Sequence, residues 1–368
     1  TNKANNLLPQ GLYYYRLTIT NSANIKTNSK KDSVFVSRKK RAIVLEIPNR
    51  SFSPNNDSIK DTISFELKAT DKRDVESWKI LIRNRFRKIV RVISGFEFLP
   101  FDSTWDGKSN RGKTLPDGTY SAKIIIRYKD RKTIISPNIS VDIKTKLDIS
   151  LKSNKEEFIP DKGNIHFVPK LKRKSLESWK LKIFSSDKRL IRIINGSGEV
   201  PEKISWDGKD SEGSIAGYNM FVNAIFEGVD HAGNKGKSDA IELWLGFYST
   251  VTNDKITIIL FDQGILHKNK ESDFTKGADK VLKKLVTQIK EYMNAKKVNI
   301  KVYTSGEGFK EHNLDLSQIR AQNVVNKLKG QLSKFQFDHK GFGETKPFKK
   351  FKSNKWDSRY EIEIIKGE

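Results

Sequence analysis

Through the first two thirds of the chain, apolar and polar residues alternate with a period of two. Ile124 and Ile126, and again Leu181 and Ile183, fall on one side of such stretches, which are separated by Gly, Asp, Asn and Pro turns. Successive side chains of a strand point to opposite faces, so this pattern predicts antiparallel sheets that each bury one face. After the segment GFYSTVTNDK the period changes. Residues 256–261 make a short apolar strand, and then Phe274, Ala278, Val281, Leu282, Leu285 and Ile289 recur at helical spacing. A strand at 298–304 and a Gly-rich loop follow. The next helix is expected to open at Ser317, a good N-cap, with Ala321, Val324, Val325 and Leu328 on one face. A last strand covers residues 360–365. The order strand, helix, strand, helix, strand, strand predicts an α/β domain in which helices pack on a sheet.

The alternating region is duplicated. ESWK occurs at 76–79 and 177–180, and WDGK at 105–108 and 206–209, so Trp78 and Trp105 repeat as Trp179 and Trp206 at an offset of 101. Each copy continues into a turn and a strand opening, LPDGTY at 115–120 and IAGY at 215–218. Near the start, LPQGLYYYRLTIT repeats LPDGTYSAKIIIR, with Leu8 matching Leu115, and the text then runs to Phe52 and Pro54 as the later copy runs to Phe158 and Pro160. Four segments are therefore expected. Residues 1–45 are the back half of an incomplete repeat whose front half and signal sequence lie upstream, 46–145 and 146–248 are full repeats, and 249–368 is a separate domain. About 100 residues per copy is the size of an immunoglobulin-like sandwich.

Composition narrows the function classes. At 368 residues the length suggests two to four domains, and 36% hydrophobic residues suffice for several modest cores. A formal charge of +26 favours anionic surfaces without choosing among them. The lysines are spread along the whole length, and no RNP-type aromatic run, zinc knuckle or basic zipper is present, so nucleic acid is not expected as a partner. The absence of cysteine removes disulfides and thiolate metal sites. No apolar run approaches the roughly 20 residues of a membrane span. The first residues lack signal-peptide anatomy, and the start at Thr1 is read as a processed or excised end. DGKDSEG at 207–213 is read as turn chemistry and not as a calcium loop, whose ligands would be denser. His166, His231, His267, His312 and His339 form no metal-spaced pair, and His312 reads as a solvated loop residue. No nucleophile elbow, phosphate loop or paired-carboxylate pattern is present, so neither an enzyme nor a cofactor is expected.

The repeated W-D-G-K followed by Gly and G-x-Y resembles the immunoglobulin-like module of flagellar hook-capping proteins and of bacterial surface proteins, which implies extension and spacing. NLDLSQIRAQNVVNKL at 313–328 resembles the N-x-x-L-S-x-x-R-A-x-x-V signature of OmpA-like domains. GFGETKP at 341–347 resembles the G-x-G-E-x-x-P of that family, and DSRYEIEI at 357–364 its terminal strand. The resemblance implies a periplasmic, envelope-associated protein, tied to the outer membrane through an upstream region, that holds the diamino acid of the peptidoglycan stem peptide. Arg320 then forks onto the ligand carboxylate from the first turn of its helix, in preference to a surface pair with Asp315 or Glu307. Thr304 and Asn313 line the same pocket. The family's aspartate, fifteen residues before the arginine, is Ser305 here, and Glu307 is the nearby candidate to replace its charge. Losing a charge-assisted hydrogen bond costs about 1.5–3 kcal/mol, so weakened or altered recognition is expected. The terminal motif drifts as well, with Ser358 in place of the first of two arginines and Arg359 keeping the second. The alternative is a degenerate OmpA-like domain that serves as a scaffold for other envelope proteins.

Overall fold

The computed structural model describes residues 8–36, 40–160, 162–268, 271–292, 294–351 and 356–366. The expected incomplete repeat begins on residues outside this set. Strands Ile43–Glu46, Ile63–Ala69 and Asp102–Trp105 form one sheet. The facing sheet runs Ser51–Phe52, Ile139–Ile143, Gly118–Tyr128, Val75–Arg83, Ile89–Phe96, with Thr133–Ile135 paired to the end of its longest strand. Leu45, Phe65 and Leu67 from the first sheet meet Trp78, Ile80, Ile82, Ile124 and Ile126 from the second in one core. A boundary at residue 46 is thus too late. Ile43 and Leu45 point inward and Val44 and Glu46 outward, so that strand belongs to this sandwich.

The second sandwich repeats the plan, with Ser150–Ser153, Ile165–Lys170 and Ile204–Trp206 facing a sheet built around Ser175–Ser185 and Met220–Val229. Both repeated motifs have a physical cause. The Trp105 indole donates to the Lys108 carbonyl at 3.0 Å and Asp106 accepts from the Lys108 amide at 3.1 Å; Trp206 and Asp207 do the same to Lys209 at 2.8 and 3.1 Å. The glycine between them has a φ of +71° or +80°, and a Cβ there would lie 2.6 Å from Pro54 or 2.8 Å from Pro160. W-D-G-K is therefore a closed turn seated on the Phe-x-Pro segment. In E-S-W-K the indole lies across its cross-strand partner, Gly95 for Trp78 and Gly196 for Trp179.

The tyrosines after the turns do not correspond. Phe52 pairs with Ile143 and Phe158 with Leu245, and counting from there puts Val222 where Tyr120 stands. Tyr218 stands four positions earlier, in the turn before Met220–Val229, and packs outside the sandwich core with Tyr248, Phe261 and Trp356. Tyr120 packs on Trp105 at 5.6 Å and donates to the Pro116 carbonyl.

Residues 11–36 copy the pairing of residues 118–143. Gly11 faces Val36 as Gly118 faces Ile143, Tyr13 faces Val34 as Tyr120 faces Val141, and Thr18 faces Asn28 as Ile125 faces Ile135. Tyr13 also donates to the Pro9 carbonyl as Tyr120 does to that of Pro116. Among the described residues, no strand takes the place beside Gly11–Tyr15 that Val75–Arg83 takes beside Gly118–Tyr128. Leu12, Tyr14, Ile19 and Phe35 are exposed accordingly.

Lys146 opens a second compact unit, in which the second sandwich continues into the C-terminal domain. The sheet of that domain is ordered Tyr248–Val251, Lys255–Phe261, Arg359–Lys366, Ala295–Tyr303, Gln336–Gly341, antiparallel except for the last pair. Helices α1 (Ala278–Lys290) and α2 (Lys310–Lys329) share one core with it: Leu282, Leu285 and Ile289, then Val324, Val325 and Leu328, against Ile258, Ile300 and Ile362. Trp244 and Phe247, from the last strand of the sandwich and the turn after it, enter this same core. Tyr218 and Tyr248 form a second cluster with Phe261 and Trp356.

Helix α2 opens at Lys310, about two turns before Ser317. The Ser317 hydroxyl does not cap a terminus. It donates to the Leu314 carbonyl at 2.7 Å and is buried under a loop, so the expected N-cap is an interior residue chosen for its small size.

Candidate functional site

The parallel strands Ala295–Tyr303 and Gln336–Gly341 end side by side, and the loops that leave them meet over α2. The Thr304 amide donates to the Gly343 carbonyl at 2.9 Å, and the Phe342 amide to the Val302 carbonyl at 2.9 Å. The Gly343 amide donates to the Ser317 hydroxyl at 2.9 Å, and the Gly341 amide to the Gln318 side chain at 2.8 Å. A Cβ at Gly341 would collide with the backbone of Gln318, and one at Gly343 would come 3.2 Å from the Leu314 amide. The two glycines of G-x-G thus exist so that a strand end can rest directly on a helix.

This contact gathers part of the expected site. Asn313, buried within α2, donates from Nδ2 to Glu344 Oε2 at 3.0 Å. The same carboxylate oxygen lies 3.9 Å from the point where a Cβ on Gly306 would stand, so it sits over the 304–309 loop. Thr304 is buried, and its hydroxyl has no partner among the described residues. Ser305 is half-buried and Glu307 exposed. Glu344 is the group that reading the residues one by one passed over, although the quoted G-x-G-E motif contains it.

Arg320 is placed differently from expectation. It lies in the middle of α2, so the helix N-terminus and its dipole, which act over about one turn, do not reach it. Its guanidinium is buried and already forked. Nε donates to the Glu271 carbonyl at 2.9 Å, and Nη2 donates to the carbonyls of Glu271 at 2.7 Å and Lys268 at 3.0 Å. Its nearest carboxylate is Asp262 at 3.9 Å, not Asp315 or Glu307. Asp262 in turn accepts the Leu266 amide at 2.9 Å and lies 3.4 Å from His267 Nδ1, which is 2.7 Å from the Tyr360 hydroxyl. Burial, and then the Asp262 charge, push the Tyr360 phenol well above its ordinary range, with Arg320 pulling it back. The buried group Asp262, His267, Arg320 and Tyr360 draws on three separate segments, and no local spacing announces it.

Arg359 is also structural. Its guanidinium donates to the Lys346 carbonyl at 2.9 Å and to Glu361 at 2.8 Å, and lies 4.0 Å over the Tyr303 ring. Burial, and then the Glu361 charge, raise the Tyr303 phenol to about 12. The Ser358 carbonyl accepts the Asp262 amide at 2.9 Å. His312 is exposed beside the loop.

Residues 266–361 match the OmpA family. Among solved structures, the periplasmic domain of Helicobacter pylori MotB is similar at 15% identity and a TM-score of 0.29, over 32% of this chain and 78% of that one. Fibronectin(III)-like modules of Clostridium thermocellum CbhA are similar at 13% identity and a TM-score of 0.29, over 55% and 94%. The FN1–FN3 domains of chicken CNTN1 are similar at 9% identity and a TM-score of 0.35, over 63% and 76%. No curated protein matches the chain. The motifs at 313–328 and 341–347 fall inside the matched segment, and residues 266–361 are an OmpA family domain.

Proposed function

We propose that the chain is a non-enzymatic periplasmic envelope protein whose OmpA family domain contacts the stem peptide of peptidoglycan with altered recognition. The observation that carries this reading is the assembly of Thr304, Ser305, Asn313 and Glu344 on one side of α2, inside the segment that matches the family. In this arrangement Glu344 supplies the carboxylate that Ser305 lacks, and the Thr304 hydroxyl, buried and without a partner among the described residues, lies beneath the loop. Glu307 is a peripheral contact. Arg320 acts by positioning the loop before α1, and a ligand carboxylate reaches the guanidinium only where it displaces a loop carbonyl. The sandwiches space this domain, and residues 11–36 contribute the back half of a further immunoglobulin-like repeat.

The engagement of Arg320 favours a second reading, a scaffold for other envelope proteins that has lost wall binding. Co-sedimentation of the full chain with purified sacculi at low and high salt separates the two. Retention that survives high salt and falls with Glu344→Gln supports wall contact. Retention that vanishes with salt is charge alone, and no retention at either salt leaves the scaffold reading.

A further inference from the structure

Phe96, Phe98 and Phe101 of the first sandwich are 77%, 74% and 66% exposed within six residues. They stand where the chain leaves Ile89–Phe96, the edge strand of one sheet, and crosses to Asp102–Trp105 in the other. Other groups fix this crossover. Leu99 is buried, the Trp78 indole donates to the Phe98 carbonyl at 2.8 Å, and the Glu97 amide donates to the Glu76 carbonyl at 3.1 Å.

The second sandwich builds the same crossover from other residues. At the offset of 101, Gly196 answers Gly95, and Gly198 with a φ of +76° answers Glu97 with a φ of +57°. Buried Val200 answers Leu99, and Pro201 answers Pro100. At the three phenylalanine positions that copy has Ser197, Glu199 and Glu202. The backbone therefore does not need the rings, and three solvated aromatics so close together mark a contact surface.

Cations surround them. Next to Phe96 the outer sheet face has a shallow depression of about 370 Å³ that takes in Lys79, Arg127, Ser77, Ser94 and Thr133. Lys72 Nζ lies 5.8 Å over the Phe101 ring. Three acids stand nearby: Glu76, which pairs with Arg127 at 2.9 Å, Glu97, and exposed Asp102 directly after Phe101. We propose that this crossover docks on an anionic phospholipid bilayer. The rings enter the interfacial layer, where aromatic side chains are favoured, while Lys79, Arg127 and Lys72 meet headgroup phosphates. The pairing of apolar rings with flanking cations argues for lipid as the occupant: three exposed rings beside Lys72, Lys79 and Arg127 suit a fluid anionic surface.

The test uses the full chain and sedimentation with vesicles of phosphatidylcholine alone or mixed with phosphatidylglycerol. Phe96→Ser/Phe98→Ser/Phe101→Ser leaves the charge unchanged, and Lys79→Gln/Arg127→Gln leaves the rings. Each set is expected to lower the partition onto phosphatidylglycerol vesicles at least tenfold, with an unchanged unfolding midpoint and weak binding to phosphatidylcholine throughout. The proposal is overturned if the triple serine variant binds as the parent does, which leaves charge alone, or if the parent ignores phosphatidylglycerol. It is also overturned if the rings instead drive concentration-dependent self-association that the serines abolish. Vesicles contain no peptidoglycan, so neither result bears on wall contact.

Discussion

Asn219 and Phe261 exchange two hydrogen bonds: the Asn219 amide nitrogen donates to the Phe261 carbonyl at 2.9 Å, and its oxygen accepts the Phe261 amide at 2.8 Å. Asn219 is fully buried at the turn before the long strand Met220–Val229 of the second sandwich, and Phe261 ends a strand of the C-terminal domain's sheet. A side chain of one domain thus completes the backbone of the next. The clusters around Trp244 and around Tyr218 extend the joint, and Lys284 pairs with Glu157 at 2.8 Å across it.

Replacing Asn219 with alanine would strand a buried amide and a buried carbonyl, each of which costs about 1–3 kcal/mol. Its φ of +45°, which Asn tolerates better than Ala, adds to the loss. Asn219→Ala is expected to destabilise residues 146–366 by about 3 kcal/mol and to lower the midpoint of one shared transition in chemical denaturation. Two separate transitions, with only one displaced, would show that sandwich and OmpA family domain unfold independently.

Arg320→Ala removes the guanidinium bonds to the Lys268 and Glu271 carbonyls, of which the first keeps only the Glu271 amide among the described residues, and leaves Asp262 without its nearby cation. A loss of about 3 kcal/mol is expected. Arg320→Lys recovers less than half of it, because an ammonium cannot fork to two carbonyls in this geometry. Thermal unfolding of both variants checks this, and a lysine variant as stable as the parent would refute the positioning role.

What was legible from sequence follows the range of the interactions. The tryptophan repeats could be read directly, because alternation and Asp-Gly turns are local. Ser317 was misread because N-cap preference is a local statistic, whereas its hydroxyl answers to Gly343, 26 positions away. The strings LPDGTY and IAGY set Tyr218 against Tyr120, although the strand pairing gives that place to Val222, four positions on. The surroundings of Arg320 come from Asp262, His267 and Tyr360, which only the folded chain brings together.

The Trp–Gly crossing gives a paired prediction. A Cβ at Gly95 would lie 2.8 Å from the Trp78 indole, and one at Gly196 would lie 2.5 Å from that of Trp179. Alanine at either site must displace the ring and is expected to cost about 1–3 kcal/mol. Near-equal losses for Gly95→Ala and Gly196→Ala, measured by denaturation, would confirm that the repeats use one device. A neutral effect at either site would refute it.

Glu363 ties stability to acidity. Burial pushes its carboxyl up, but Lys255 and Lys301, the latter at 2.8 Å, outweigh that and hold it below the ordinary range. A depressed folded value means that the unfolded state binds the proton more readily, so the stabilisation is complete above the unfolded value and is lost as pH falls through the folded one. The parent is expected to be more stable than Glu363→Gln at neutral pH, with the two converging below about pH 4. A difference independent of pH would rule out the ion pairs as its cause.

The wall reading rests on where the carboxylate stands. If Glu344 provides the counter-charge that the family draws from the position of Ser305, Glu344→Gln weakens retention on sacculi by roughly tenfold, the lower end of a lost charge-assisted bond. Adding Ser305→Asp to that variant returns a carboxylate to the same loop and should restore most of the retention. A glutamine in place of Glu344 still offers Asn313 an acceptor through its amide oxygen, so the fold is expected to hold, which an unchanged thermal midpoint verifies. Were the double variant to bind no better than Glu344→Gln alone while its midpoint stayed at the parent value, the loop would not be reading a ligand ammonium. The scaffold role would then stand in place of wall contact.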